Sequence, residues 1–339
     1  MLFVIKFTII SLGIIGLRRA VIKRPKIVCQ FGVLTLLVSV FSGTWAPLIS
    51  AQEDSINIGI LQYVEHKALD DAREGFMEEL KASEYGDRIK FDVQNASGDN
   101  SSLQSIGEKL ARDNDILYAI ATPAVMSLAA IEREKPVFFA AVNDPVQIGV
   151  VNSLEQPGGN VTGTSDRPPI DQQIDFLQRN FPQVKKVGII YDSGELNSQI
   201  QVEEAKELFQ KAGIDVAESS VTSTNDIQQV LAPLLSEVEL LFLVKDNTID
   251  SSIKLVGDMA IEAGIPMLGS SEPTTLENGM VTISKSYVDF GKQTARMVIR
   301  MLDERLSPKD LPVELGEDFK LVVNEANAEK LKFDWKNLK

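Results

Sequence analysis

The chain is 339 residues long, more than one hydrophobic core usually organises, and 44% hydrophobic with 24% charged residues, the balance of a water-soluble globular protein of two ordinary domains. Its net charge is −14, and because residues 1–51 hold six Lys or Arg and no acid, the remaining 288 residues carry −20. A body that acidic is repelled by phosphate backbones, which excludes nucleic acid as a partner.

Residues 1–51 read as an export signal. Lys23-Arg24-Pro25-Lys26 is a compact basic region, Ile27 to Phe41 is apolar with small or polar interruptions, and Ala46 to Ala51 offers small-residue cleavage sites. Cleavage is expected after Ala51. An earlier apolar run, Leu2 to Leu17, leaves an upstream extension or an uncleaved anchor as the alternative, although neither run reaches the ~20 uninterrupted apolar residues of a comfortable span. Cys29 has no small residue before it and does not look like a lipid-attachment site. No cysteine follows residue 51, so the exported body has neither disulfide nor thiolate chemistry.

From there, apolar runs alternate with helical patterns. Ser55 to Tyr63 is dense enough in Ile and Leu to be a strand buried on both faces, and Leu69, Ala72, Phe76 and Leu80 then recur at helical spacing. A strand at Ile89 to Gln94, a helix over Leu103 to Arg112 and a strand at Ile116 to Ala121 follow. Thr122 is placed to cap the next helix and Pro123 to fill its first position, leaving backbone N–H groups for a carboxylate. Val137 to Ala141 is a fourth strand, ending at Asn143-Asp144-Pro145.

Pro157-Gly158-Gly159 breaks both periodicities, and Val161 to Thr164 restarts an extended segment. The stretch from Asn143 to Asp166 therefore reads as the passage from one α/β half into another. The second half repeats the scheme: strand Val187 to Tyr191, a helix stopping at Gly213, strand Ile214 to Ser220, helix Asp226 to Ser236, strand Leu240 to Val244, and a helix from Ile253 stopping at Gly264. Pro266-Met267-Leu268 leads to Ser270. Met280 to Ser284 is a short strand and Tyr287 to Leu302 an amphipathic helix that returns to the first lobe, with Leu306 to Lys339 a surface-packed tail. The expected fold is α/β, two doubly wound parallel-sheet lobes joined by a multi-stranded hinge. One lobe takes residues 52–164 and about 284–339, and the other takes 165–283.

After residue 51 there is one histidine, His66, no Gly-x-Ser-x-Gly elbow, no Walker loop and no Gly-x-Gly-x-x-Gly fingerprint, so no metal, cofactor or catalytic set is expected. What remains is polar residues at the ends of successive strands: Gln62, Glu65 and His66; Thr122 and Pro123; Asn143 and Asp144; Ser165 and Asp166; Asn197; Asp246 and Asn247; and Ser270. Singly each suits turn or cap chemistry, but together they point to a polar cleft between the lobes.

The chain resembles the solute-binding proteins of ABC importers, in the subfamily associated with tryptophan and tyrosine uptake. The resemblance rests on Gly59-Ile60-Leu61-Gln62, Val64-Glu65-His66, Ala68-Leu69-Asp70, Ala72 to Phe76, Ala121-Thr122-Pro123, Phe138 to Pro145, Pro157 to Gly163, Asn197-Ser198, Val202-Glu203-Glu204 and Asp246-Asn247-Thr248. It covers about residues 55–325 and implies a type I periplasmic-binding-protein fold. It also implies a small amino-acid-like ligand, aromatic by subfamily, and ABC permease and ATPase partners. Membrane contact would come only through the permease or an uncleaved N-terminal segment. In that scheme the helix start at Thr122 holds the carboxylate and Asp246 pairs with the ammonium. Gln62, Glu65 and Asn197 orient the ligand, and Tyr63 or Phe139 supplies the aromatic contact. The sequence departs from the family pattern at Arg167-Pro168-Pro169 and at Ser270-Ser271. A sensor domain of the same fold and an amino-acid-modifying enzyme are the alternatives.

Overall fold

A computed structural model of the chain describes residues 55–316 and 319–338; the expected signal segment lies outside them. The first lobe begins with β1 (Ile56–Gln62), α1 (Lys67–Ala82), β2 (Ile89–Asn95), α2 (Asn100–Asp113), β3 (Ile116–Ile120), α3 (Thr122–Ile131), β4 (Val137–Val142) and β5 (Val161–Ser165). Pro168 and Pro169 then carry the chain into the second lobe. There α4 (Ile170–Asn180), β6 (Lys186–Asp192), α5 (Leu196–Ala212), β7 (Asp215–Val221), α6 (Ile227–Leu235), β8 (Leu240–Leu243), α7 (Asn247–Ser251), α8 (Ile253–Ala263), β9 (Met267–Gly269), α9 (Glu272–Glu277) and β10 (Val281–Ser284) follow. The chain crosses back for α10 (Tyr287–Glu304) and β11 (Glu314–Leu315), and a third time for β12 (Lys320–Val323) and α11 (Glu325–Lys330).

The two sheets run β11-β5-β4-β3-β1-β2 and β12-β10-β9-β8-β6-β7, parallel throughout except for the antiparallel pair of β10 and β12. Within each lobe the first five strands are thus ordered 2-1-3-4-5, the doubly wound arrangement expected. Central strands such as β3 and β4 are buried along their whole length, because helices cover both faces of a parallel sheet and leave nothing for polar residues to face. The left-handed glycines Gly213 and Gly264 end α5 and α8 where the sequence places them.

One face of the first sheet is closed by α1 and α10 packed together. A Cβ on Gly291 would lie 2.0 Å from the Ala72 carbonyl oxygen, and one on Gly75 2.2 Å from that of Val288, so the two helices approach at glycines. Phe76 stacks on Tyr118 beneath them, ring centroids 3.9 Å apart.

Three features differ from the sequence reading. Helix α4 follows the two prolines without a hydrogen-bonding side-chain cap to mark its start, although Ile170, Ile174 and Leu177 recur at helical spacing; α7 and α9 are single short turns of helix, too short for a periodic signal. The tail is not a surface appendage: β11 adds to the first sheet and β12 to the second. Residues 320–338 lie with the second lobe, whereas the sequence reading kept 284–339 together in the first. The reason is apolar: Ala328 and Phe333 are buried in the second core, Phe333 stacked on Phe181 at 4.7 Å.

Candidate ligand-binding site

A parallel sheet ordered 2-1-3-4-5 leaves a crevice where the connections diverge, outside the carboxyl ends of its strands. Here two such ends face each other, and between them lies a small cavity of ≈ 20 Å³ lined by His66, Leu69, Ala141, Asn143, Asp166, Asn197, Lys245, Asp246, Asn247, Asp250 and Tyr287. Strands β1 and β4 deliver His66, Ala141 and Asn143, while β6 and β8 deliver Asn197 and residues 245–247. A groove of ≈ 690 Å³ adjoins it and shares His66, Asp250 and Tyr287 as walls.

Strain accompanies the site. Ala121, Ala141 and Ser270 adopt positive φ of 84°, 56° and 57° at the ends of β3, β4 and β9, conformations that cost a non-glycine residue about 1–3 kcal/mol and that concentrate at functional loops.

The lobes touch through polar groups. Lys245 Nζ, from the second lobe, donates to the backbone oxygen of Asp166 at 2.8 Å and to its Oδ2 at 3.0 Å, and the Tyr287 hydroxyl donates to the same Oδ2. Asp166 sits on the first crossover and Tyr287 just past the second, so the hinge itself is stitched to β8. His66 Nε2 lies 3.4 Å from Asn247 Oδ1 across the cleft. Farther out, Arg167 pairs with Asp144 of the first lobe at 3.1 Å and with Glu204 of the second at 3.2 Å.

The floor in the second lobe is built of carboxylates that collect backbone donors. Asp246 accepts from Ile249 N at 2.8 Å, as the N-cap of α7, and from Asp192 N at 2.6 Å. Glu195 accepts from the N–H groups of Asn247 and Thr248 at 3.2 and 3.0 Å. The first turn of α7 therefore points its free N–H groups at carboxyl oxygens. Burial pushes the Glu195 and Asp246 carboxyls above their ordinary range, and it raises Asp250 to about 7, with the Asp246 charge adding to the shift. Burial lowers the His66 pKa to about 4, against the opposing pull of the Asn247 hydrogen bond, Asp70 and Glu277.

Of the residues singled out in the sequence, His66, Asn143, Asp166, Asn197, Asp246 and Asn247 meet in the cavity, and Glu65 is an exposed wall of the groove. The others do different work. Gln62 is buried, and its amide is taken up by Val64 O, Asp70 and Arg73, which shapes the loop ahead of His66. Thr122 is not a cap: Ala121 occupies that position, its left-handed turn starting α3 one residue early and moving Pro123 to the second position. Neither Thr122 nor Pro123 lines the cavity or the groove.

Asp144 faces Arg167 and caps Gln147 N, and Ser165 Oγ donates to the Asn143 carbonyl. Ser270 lies behind the wall and donates to Asp250 Oδ1 at 2.6 Å. Of the two aromatic candidates, Phe139 is wholly inside the first core, and Tyr63 is buried with its hydroxyl on the Gly98 carbonyl. Sequence reasoning missed Lys245, Asp250 and Tyr287. Position was the available signal: Lys245 directly follows a wholly apolar strand, and Tyr287 follows the return crossover.

Two α/β lobes joined by three crossovers, with polar strand ends closing on a cavity, define a two-lobed small-molecule binding protein of type I periplasmic-binding-protein fold. A family model described as ABC transporter substrate binding protein matches residues 57–337, and the chain belongs to that family. It is similar to a tyrosine-binding protein of Clostridioides difficile (strain R20291), 35% identical over 278 residues, which are 81% of this chain and 80% of that one. It is similar also to the crystal structure of an ABC domain in complex with L-Trp from Streptococcus pneumonia, 34% identical with a TM-score of 0.79, over 82% of this chain and 95% of that one. The ligand-free, open structure of a substrate-binding protein with adhesive properties from Clostridium difficile matches at the same identity and coverage with a TM-score of 0.64. In the present structure the lobes meet across the cleft at His66 and Asn247 and at Lys245 and Asp166. The chain is the substrate-binding protein of an ABC transporter.

Proposed function

We propose that this substrate-binding protein serves an importer of aromatic amino acids and holds the zwitterionic head of its solute in the cavity between the lobes. One observation carries the reading. Among the described residues, the buried side-chain polar atoms without a hydrogen-bond partner are His66 Nδ1, Asp166 Oδ1 and Asn197 Oδ1, and all three residues line that one cavity. Buried polar atoms are nearly always paired, so three orphans around one cavity mark a place for a polar ligand. Two of them are acceptor oxygens that suit an ammonium. Lys245 gives two hydrogen bonds to Asp166 and retains a third proton for a carboxylate.

The cavity has room for about one small polar group, such as the ammonium, and the rest of the solute would pass between His66, Asp250 and Tyr287 into the groove, with Tyr287 as the aromatic wall. The ligands in the names of the tyrosine-binding relative and the L-Trp complex support an aromatic side chain. Binding would act by shifting an open–closed population toward the closed form that the permease and its ATPase respond to. Residues 1–51 would direct the chain out of the cytoplasm, where ABC substrate-binding proteins work, and the body itself carries no catalysis.

Calorimetric titration with L-tryptophan, L-tyrosine and L-phenylalanine, beside tryptamine and indole-3-propionate, tests this. The intact amino acids should bind and the two analogues, each lacking one charge, should bind at least about tenfold more weakly. Tryptamine binding as tightly as tryptophan would exclude the zwitterion site.

A further inference from the structure

We propose that His66 is a specificity-determining residue whose Nδ1 accepts a hydrogen bond from the ligand's ammonium, making a third acceptor beside Asp166 and Asn197, so that the site selects an unsubstituted primary ammonium. The inference rests on the reading that an amino acid binds between the lobes.

The argument starts at Glu195. Its Oε2 accepts from Asn247 Nδ2 at 2.5 Å, which fixes the Asn247 amide with its oxygen toward His66. An acceptor facing Nε2 requires the proton to be on Nε2. The ring is neutral at ordinary pH because burial disfavours its charge. A neutral imidazole carries one N–H, so Nδ1 holds a lone pair, and it is a buried atom with no partner. Asn197 is oriented in the same way: its Nδ2 lies within reach of the Lys245 carbonyl at 3.0 Å, Glu195 Oε2 at 3.3 Å and Ser198 Oγ at 3.2 Å, which leaves Oδ1 on the cavity side. Asp166 Oδ1 completes the set.

Three acceptors match the three hydrogens of a primary ammonium. His66 belongs to the first lobe and Asn247 to the second, so the tautomer that makes Nδ1 an acceptor is imposed only when the lobes close. Recognition of the ammonium and closure are thereby linked through one ring.

The test compares L-tryptophan with N-methyl-L-tryptophan, whose secondary ammonium leaves one acceptor unpaired, in the wild type, His66→Asn and His66→Gln. Asparagine can offer an oxygen near the Nδ1 position but cannot reach Asn247. Glutamine reaches toward Asn247 but places carbon near the Nδ1 position. Calorimetry should give a preference for tryptophan of about tenfold or more in the wild type and His66→Asn, falling to within about threefold in His66→Gln. Melting curves without ligand establish that both variants fold.

A wild-type preference kept in full by His66→Gln, or lost equally in both variants, overturns the role of Nδ1 and leaves amino-acid binding standing. A wild type that binds both compounds equally overturns it without any variant. A wild type that binds no aromatic amino acid overturns the proposed function and this inference with it.

Discussion

Asp246 illustrates how a residue can stand at the right place and carry a different duty. It lines the cavity, as its position after β8 leads one to expect, but both carboxylate oxygens are engaged by backbone N–H groups. Asp166 keeps one oxygen free in the same cavity. Asp166→Asn is therefore expected to weaken amino-acid binding by roughly 30-fold or more, since losing one partner of a desolvated charge pair costs about 2–5 kcal/mol. Asp246→Ala is expected to lower stability by about 2 kcal/mol, from a lost cap and an unpaired buried N–H. Titration beside denaturant unfolding checks both, and an affinity loss confined to the Asp246 variant would reverse the assignment.

Asp250 has a signature in pH. Its carboxyl titrates near 7 in the native chain and near 3.9 when unfolded, so between about pH 4 and 7 the native state holds the extra proton. Stability contributed by this group is present below about 4, is lost as pH rises to about 7, and changes no further above that, with a slope of at most about 1.4 kcal/mol per pH unit. Asp250→Asn still accepts from Ser270 and has no proton to lose. Its melting temperature relative to wild type should climb from pH 4 to pH 7 and then level off; a constant difference would mean that Asp250 titrates normally.

Among the elements, the pair α1 and α10 matters most to the site, because the loop entering α1 carries His66 and the first residue of α10 is Tyr287. Their contact at Gly75 and Gly291 leaves no room for a methyl group. Gly291→Ala is expected to destabilise the protein by about 1–3 kcal/mol, the usual cost of overpacking, and to weaken ligand binding as both cavity walls shift. Gly213→Ala makes a matched control. Its φ of 72° penalises alanine by about 1 kcal/mol, yet the added Cβ meets open space and α5 ends far along the chain from the cavity loops, so affinity should hold. Equal affinity loss in both would show that the effect follows stability and not geometry.

For the molecule as a whole, closure depends on contacts made between the lobes. Arg167 holds Asp144 of one lobe and Glu204 of the other while itself remaining half exposed. Exposed ion pairs contribute at most about 1 kcal/mol each and are screened by salt. Arg167→Ala is expected to reduce ligand affinity about two- to fivefold in dilute buffer and to have no effect at about 1 M salt. Titration at both ionic strengths measures this, and a loss that persists in high salt would place the arginine's effect in packing instead of charge.

The alternation of strands and helices in two halves was determined by the sequence, since a parallel sheet covered on both faces demands continuous apolar runs such as Val137–Val142 and Leu240–Leu243, and a left-handed helix end favours glycine, as at 213 and 264. The place of the cleft follows from that alternation, because ligands of such folds lie beyond the carboxyl ends of the strands. The rest was decided by tertiary structure. Whether a strand-end carboxylate caps a helix or keeps an oxygen free depends on which groups reach it: backbone N–H groups take both oxygens of Asp246, whereas Lys245 and Tyr287 share one oxygen of Asp166 and leave the other free. Lys245 and Tyr287 became site residues when the crossovers brought both to Asp166, and the tail joined the second lobe because Phe333 found its partners there. Local pattern records that a residue is buried or turned; which distant loops converge on it is a property of how the lobes pack.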